Sequence, residues 1–271
     1  MNESRFLRNT FTKTLRDQKR SYLFWAFGVV AMTFLMGAFW PSIAASGEQF
    51  NDLVDSYPPA IAAFFGDLAD FTTPAGYLTS EWFAFTGVVL LLVYAIGKGA
   101  DLLAGDEERG MLDVLLTHPV ARRRAYLEMA STLVVGTLGL ALISWLGLLA
   151  GAVVFGMDIG FGRLLAGSLM LGLLAVVFGS VAFGLGGLGL SRGQAIAVSA
   201  AYATADFFVN ALAKSNANTA WLRKLTMNYH YLEGEPLKGG FPWLHAAILL
   251  GVCFVLLAAG WWRFGTRDIG T

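Results

Sequence analysis

The chain of 271 residues is too apolar for a soluble protein of its size, since 56% of its residues are hydrophobic and only 14% are charged. Its mean hydropathy of +0.60 predicts that lipid is its main solvent. The formal net charge is zero, so the chain carries no overall basic field that would attract nucleic acid. Its single cysteine, Cys253, excludes an internal disulfide and is expected to act as a small apolar core residue.

The first 20 residues combine basic charge with one apolar helical face. Leu7, Phe11 and Leu15 fall on the same side of a helix drawn through this segment. This pattern predicts an amphipathic interfacial helix over 1–20 that lies on the inner membrane surface. An ordinary basic flank that only sets the orientation of the first span is the alternative.

Six segments after this tail are long and apolar enough to cross a membrane. A span needs roughly 20 apolar residues, because the hydrocarbon layer is about 30 Å thick and offers backbone groups no water. The second segment carries Glu81, Lys98 and Asp101 towards its ends. The predicted fold class is therefore an all-α membrane protein with six transmembrane helices. The spans are predicted at 22–40, 78–103, 130–155, 164–190, 194–213 and 241–262.

Basic residues are shared unevenly between the connections. Fourteen of the 19 Lys and Arg residues fall in the N-terminal tail, the second and fourth connections and the C-terminal end, which are therefore expected in the cytoplasm. The first connection, 41–76, has no Lys or Arg and is expected outside, with short helices on the outer face. The fifth connection, 213–242, is also predicted to be external, although its four basic residues weaken the contrast. They are Lys214, Arg223, Lys224 and Lys238.

Glycine, with 32 residues, is frequent within the spans. Gly147 and Gly151 form a GxxxG pair in the third span, and Gly179 is one of several glycines in the fourth. Small residues let helices approach closely in a membrane. Two explanations remain open: tight packing within one subunit, or a dimer seam or moving interface.

The connection between the second and third spans contains the most specific motif, over 105–124. Acidic residues, which favour a helix N-terminus, begin it. Leu112, Leu115 and Leu116 then form a short apolar ridge, and Pro119 ends the predicted helix. A short amphipathic helix at the membrane surface is a shape that the groove of a partner protein can bind. The alternative is a solvated loop whose leucines rest on lipid headgroups.

This segment resembles the coupling-helix signature of ABC-2 type permeases, the membrane domains of type-2 ABC exporters. In that signature an acidic start and Glu-Arg-Gly precede a leucine-rich turn and Pro-Val-Ser-Arg. Met111, where Thr is usual, and Ala121, in place of Ser, depart from it. The span layout, the N-terminal helix and the long fifth connection are also similar, so the resemblance covers 1–271 as one transmembrane domain. The positions that it marks as ATPase-coupling are Glu107, Glu108, Arg109, Gly110, Leu112, Leu115, Leu116, Pro119, Val120 and Arg122.

The resemblance implies a half-transporter in the cytoplasmic membrane that exports a substrate. A second permease subunit, identical or related, would complete the path through the lipid bilayer. An ABC ATPase subunit would dock on the coupling loop and bind ATP and Mg²⁺. The sequence contains no GxxxxGK[ST] phosphate-binding loop, so no cofactor and no ATPase site are expected in this chain. No residue identifies the substrate.

An ion-coupled secondary transporter is the alternative function. Asp206 lies within the fifth span, where a charge is costly and suggests a function. Asn210 lies one turn further on, and Glu81 lies near the outer end of the second span, so the three residues form a candidate substrate path. Asp206 beside a polar partner at the outer interface is the competing interpretation.

An intramembrane enzyme has less support. The sequence contains no HExxH, GxGD or GxSG motif. His118, His230 and His245 are far apart in the sequence and are expected to be too scattered for a metal site.

Overall fold

The computed structural model describes residues 19–46, 71–111, 121–214 and 218–266. Within these ranges the chain forms helices joined by turns, without a strand. Six of these helices are long and apolar enough to cross a membrane. The helices are α1 (Lys19–Ala45), α2 (Pro74–Glu108), α3 (Arg122–Val154), α4 (Phe161–Gly187), α5 (Arg192–Lys214), α6 (Ala220–Arg223), α7 (Met227–Leu232), α8 (Pro236–Gly239) and α9 (Trp243–Thr266).

The predicted all-α class and its six spans are confirmed by α1 to α5 and α9. Three spans extend well beyond their predicted bounds. α1 covers Lys19–Ala45. α2 begins at Pro74 and continues to Glu108, and α3 begins at Arg122. Helices can continue past the hydrocarbon layer because water and charged side chains satisfy the backbone groups of their last turns.

Two predicted surface features lie largely outside the described residues. The interfacial helix predicted over 1–20 falls almost entirely within 1–18, and the outer-loop helices fall largely within 47–70. Both therefore stay predictions.

α4 is the central helix of the bundle. In its most apolar window 83% of the residues are buried, and α2, α3, α5 and α9 pack around it. α2 approaches α4 closely, since a side chain on Gly99 would collide with the carbonyl oxygen of Gly179. A side chain on Gly179 would in turn meet the backbone of Ala95. Glycine is needed at this crossing because the two backbones themselves are in contact.

The GxxxG pair of the third span packs against α1. Gly147 faces Thr33, and Gly151 faces Gly37. The structure therefore supports the first of the two explanations for this pair, which is packing within one subunit. Both glycines are buried against α1 and do not lie on the outer surface of the bundle.

One end of the bundle, here called the basic end, gathers arginines from four helix ends. α2 finishes there, α3 and α5 begin there, and α9 finishes there. A cluster that includes Leu103, Tyr126 and Phe264 joins the ends of α2, α3 and α9, and the Arg123 guanidinium lies 4.6 Å from the ring centre of Trp261. The arginines in question are Arg109, Arg122, Arg123, Arg124, Arg192 and Arg263.

The fifth connection folds back onto the opposite end of the bundle, where α2 and α4 begin. Tyr231 of α7 is fully buried, and its hydroxyl donates a hydrogen bond of 2.8 Å to the carbonyl oxygen of Phe83. Phe83 belongs to a π-helical segment of α2, Thr79–Thr86, whose wider turns alter the usual helical pairing of backbone carbonyls. Leu237 of α8 packs against Gly167 of α4.

Candidate functional site

The Glu-Arg-Gly motif ends α2 at the basic end. A second π-helical segment, Asp101–Gly105, runs into a last turn, Asp106–Glu108. The amide of Gly110 donates to the carbonyl of Glu107 at 3.0 Å, and Gly110 has a φ of +67°. A left-handed residue that closes a helix in this way is usually glycine, because a side chain would be strained there.

The expectation that the acidic residues open a new helix is wrong for Asp106–Glu108, because they lie in the last turn of α2. An acidic residue at a helix C-terminus faces the negative end of the helix dipole. Here the cost is offset by the Arg109 guanidinium beside Asp106 and by the start of α5 beside Glu108.

Arg109 is held by two carboxylates of α2. Its Nη1 atom lies 3.0 Å from Asp101 Oδ1, and its Nη2 atom lies 2.8 Å from Asp106 Oδ1. The hydrogen bonds to Asp106 and to Asp101 raise the pKa of Arg109, so it remains charged. Because the Arg109 side chain is 51% exposed, these ion pairs add little to stability, and their main effect is to fix its position.

The same segment is hydrogen-bonded to the start of α5. Glu108 Oε1 accepts a hydrogen bond of 2.7 Å from the backbone amide of Arg192, the first residue of α5. Asp101 Oδ1 also lies 3.2 Å from Nε of Arg192 and is therefore shared between Arg109 and Arg192. A carboxylate at a helix N-terminus is favoured by the helix dipole. The end of the second span and the start of the fifth are thus joined by a backbone and a side-chain contact.

The start of α5 has a local capping box. Gln194 donates its amide to Ser191 Oγ at 3.2 Å, and Gln194 Oε1 accepts from the Ser191 amide at 3.0 Å. Glu108 adds a third partner for the amides of this turn. Glu107 and Gln194 line an open depression of about 310 Å³ between the end of α2 and the turn that connects α4 to α5.

A family model described as "ABC-2 family transporter protein" matches residues 8–269. The chain belongs to this family. It is accordingly the membrane-spanning permease subunit of an ABC transporter, as the resemblance of its coupling segment predicted. The comparison with curated proteins gave no match.

Only part of the coupling segment of this ABC-2 permease lies within the described residues. Glu107 and Glu108 end α2, Arg109 and Gly110 form the turn that follows, and Arg122 is the exposed first residue of α3. The remaining positions lie outside the described residues, so the predicted coupling helix itself stays a prediction. They are Leu112, Leu115, Leu116, Pro119 and Val120.

Sequence reasoning missed Asp101 and Arg192 as parts of the site. In the sequence Asp101 is one of the charges near a span end, and Arg192 is the basic residue of the fourth connection. The pattern Ser-x-x-Gln over 191–194 is a sequence signal for the start of a helix. This local signal does not indicate that the start of α5 lies beside the end of α2.

Asp206 of the ABC-2 permease is a buried anchor between α5 and the fifth connection. It is 4% exposed and accepts hydrogen bonds from the amides of Met227 and Asn228 at 2.7 and 2.9 Å. The side-chain amide of Asn228 donates a third, of 2.8 Å. These contacts agree with the polar-partner interpretation and give no support to an ion-coupled transporter.

The other two residues of the candidate substrate path do not join Asp206. Asn210 Oδ1 accepts a hydrogen bond of 3.4 Å from Nε of Arg223. Glu81 lies in the first π-helical segment of α2, and among the described residues no hydrogen bond joins it to Asp206 or Asn210. A substrate path through these three residues stays a prediction.

Two histidines that the sequence separates lie together at the end opposite the basic end. The Nδ1 atoms of His230 and His245 are 3.1 Å apart, so the expectation of scattered histidines is wrong for this pair. His118 lies outside the described residues. Within those residues no group of three or more His, Cys, Asp or Glu side chains is placed to hold a metal ion.

Proposed function

We propose that the chain is the permease subunit of an ATP-driven exporter of the cell membrane, and that a separate ABC ATPase docks on 105–124. The observation that carries this proposal is that Glu108 binds the start of the fifth span, while Arg109, next to it, is held to the second. A segment held to two spans can transmit force from a docked ATPase to both. ATP and Mg²⁺ would be bound by the ATPase subunit.

The arrangement of the connections supports a cytoplasmic location for the docking segment. Arginines from four helix ends gather at the basic end, and positively charged flanks of spans resist translocation. The fifth connection folds onto the opposite end, which agrees with its predicted external position. With six spans between them, both chain ends then fall on the cytoplasmic side.

A second permease subunit is proposed to pack on α5. Of the six spans, α5 has the lowest hydropathy, 1.4, and the smallest buried share, 17%, so it is the span least suited to face lipid. Its exposed surface includes the small residues Ala197, Ala201 and Thr204, which permit close helix packing. A substrate path between two such subunits would be lined by α5.

Cross-linking tests this interface. In a Cys253→Ala background, the exposed Ala201→Cys is expected to form a disulfide with the same position of an identical second subunit when an oxidant is added to native membranes. Phe254→Cys on α9, which is 74% exposed, is the matched control and is expected to remain monomeric. A cross-link at 254 without one at 201 would move the interface away from α5. A product of twice the mass of the chain identifies an identical partner.

Docking is tested by changing Glu108, Arg109 and Leu115 together to alanine in the full chain. The expected result is loss of co-purification with an ABC ATPase and of ATP-dependent transport. Glu235 and Lys238, an exposed pair at the opposite end with an N–O distance of 3.6 Å, provide a control double variant. Intact complex formation and transport in the triple variant would contradict the proposed docking site.

A further inference from the structure

We propose that Asp101, Glu108 and Arg192 form a joint through which movement of the coupling segment tilts the fifth span. The inference rests on the proposed function, because it presumes an ATPase that moves this segment. It assigns Asp101 and Arg192, which lie outside the coupling motif, as positioning residues.

The joint acts on the helix itself. Glu108 binds the backbone amide of Arg192 at 2.7 Å, and a backbone amide cannot swing away from its helix as a long side chain can. The contact from Asp101 to the Arg192 guanidinium lies beside it, so the two helices are joined at two points. Charge-assisted hydrogen bonds of this kind are roughly twice as strong as neutral ones.

The surroundings of the joint favour movement of α5 over movement of α4. The ends of α2 and α4 are in close contact, since a side chain on Gly186 would lie 3.2 Å from the backbone nitrogen of Ala104. In the most apolar stretch of α4, 83% of the residues are buried, whereas the corresponding share in α5 is 17%. When the end of α2 moves, α5 can therefore follow it with less loss of packing than α4.

A second anchor holds the far part of α5. Asp206 is bound to the start of α7 by three hydrogen bonds. It lies about 21 Å along the helix from Arg192, at a rise of roughly 1.5 Å per residue. A push at Arg192 with Asp206 held in place changes the tilt of α5. If α5 lines the path, this tilt alters its opening towards the basic end.

Arg192 permits a sharp test because it is the first residue of α5. Proline is tolerated at this position, so Arg192→Pro removes the amide that Glu108 binds without breaking the helix. Arg192→Ala keeps the amide and removes only the contact to Asp101. Arg163→Ala, near the start of α4 at the opposite end, is the matched control for loss of an arginine.

The readout is the rate at which a maleimide labels Ala201→Cys in a Cys253→Ala background, with and without ATP. The full permease, in complex with the ABC ATPase that co-purifies with it, is used in proteoliposomes. We expect ATP to change the labelling rate in the parent and in the Arg163→Ala variant. The difference is expected to shrink in Arg192→Ala and to disappear in Arg192→Pro, while co-purification and ATP hydrolysis are retained.

The outcomes separate the joint from the docking proposal. Absence of a co-purifying ATPase with the parent chain contradicts the proposed function. An ATP response of parental size in Arg192→Pro overturns the joint alone. Should Arg192→Pro fail to fold, Asp101→Asn combined with Arg192→Ala takes its place, and an unchanged response in that variant overturns the joint equally.

Discussion

The Nδ1 atoms of His230 and His245 lie 3.1 Å apart, and this contact ties the fifth connection to the start of α9. His230 Nε2 is also 3.0 Å from the carbonyl oxygen of Lys224. Because a carbonyl only accepts, Nε2 of His230 carries the proton, and Nδ1 of the neutral ring is an acceptor. His245 Nδ1 therefore donates. A second proton on His230 would place two N–H groups against each other.

Acidification is expected to weaken this contact. Burial lowers the pKa of His230 below its ordinary value of 6.5. The Lys224 carbonyl and the charge of Asp206 oppose the shift, and His245 adds to it. Since the unfolded ring takes up its proton first, the stability from the neutral ring is present above about pH 6.5 and is lost as pH falls through the lowered pKa.

The measurement is thermal unfolding of the detergent-solubilised permease between about pH 7.5 and about pH 5. His230→Gln keeps a donor for the Lys224 carbonyl but does not titrate, so its stability is expected to fall less on acidification. If the His230→Gln variant and the parent lost equal stability on acidification, this result would contradict a role for the ring in the pH response.

Asp206→Asn is expected to destabilise the fold. The amide substitute removes the charge and offers fewer acceptors to the amides of Met227 and Asn228, which are buried. The expected cost is about 1 to 3 kcal/mol in the free energy of unfolding. The exposed Asp158→Asn serves as a control for loss of one carboxylate. Transport that stops in Asp206→Asn without any loss of stability would instead favour an ion-coupled mechanism.

The six spans could be predicted because each requires only a local run of apolar residues. The joint could not, because Asp101 and Arg192 are 91 positions apart and no local periodicity relates them. The same holds for His230 and His245, which belong to different helices. α2 continues to Glu108, beyond its predicted end at 103. The sequence does not reveal this extension, because the partner of Glu108 lies at the start of α5.

The glycine crossing of α2 and α4 predicts a difference between two neighbouring positions. Gly99→Ala puts a methyl group against the carbonyl of Gly179 and is expected to destabilise the permease by about 1 to 3 kcal/mol. Gly97→Ala meets no atom within 4 Å and is expected to be neutral or slightly stabilising, since alanine is the better helix former. Thermal unfolding of the two variants measures the difference. Equal unfolding temperatures would contradict close contact at Gly99.

The left-handed conformation of Gly110 predicts a graded effect on the coupling segment. Gly110→Ala is expected to cost about 1 kcal/mol locally, because its φ of +67° is strained for alanine, and to loosen the end of α2. Asparagine tolerates this conformation better, so Gly110→Asn is expected to recover part of the loss. Retention of an ABC ATPase during purification is the measurement, and Gly193→Ala, in the first turn of α5, is the control. If alanine and asparagine had equal effects, the backbone conformation would not be what the motif requires of Gly110.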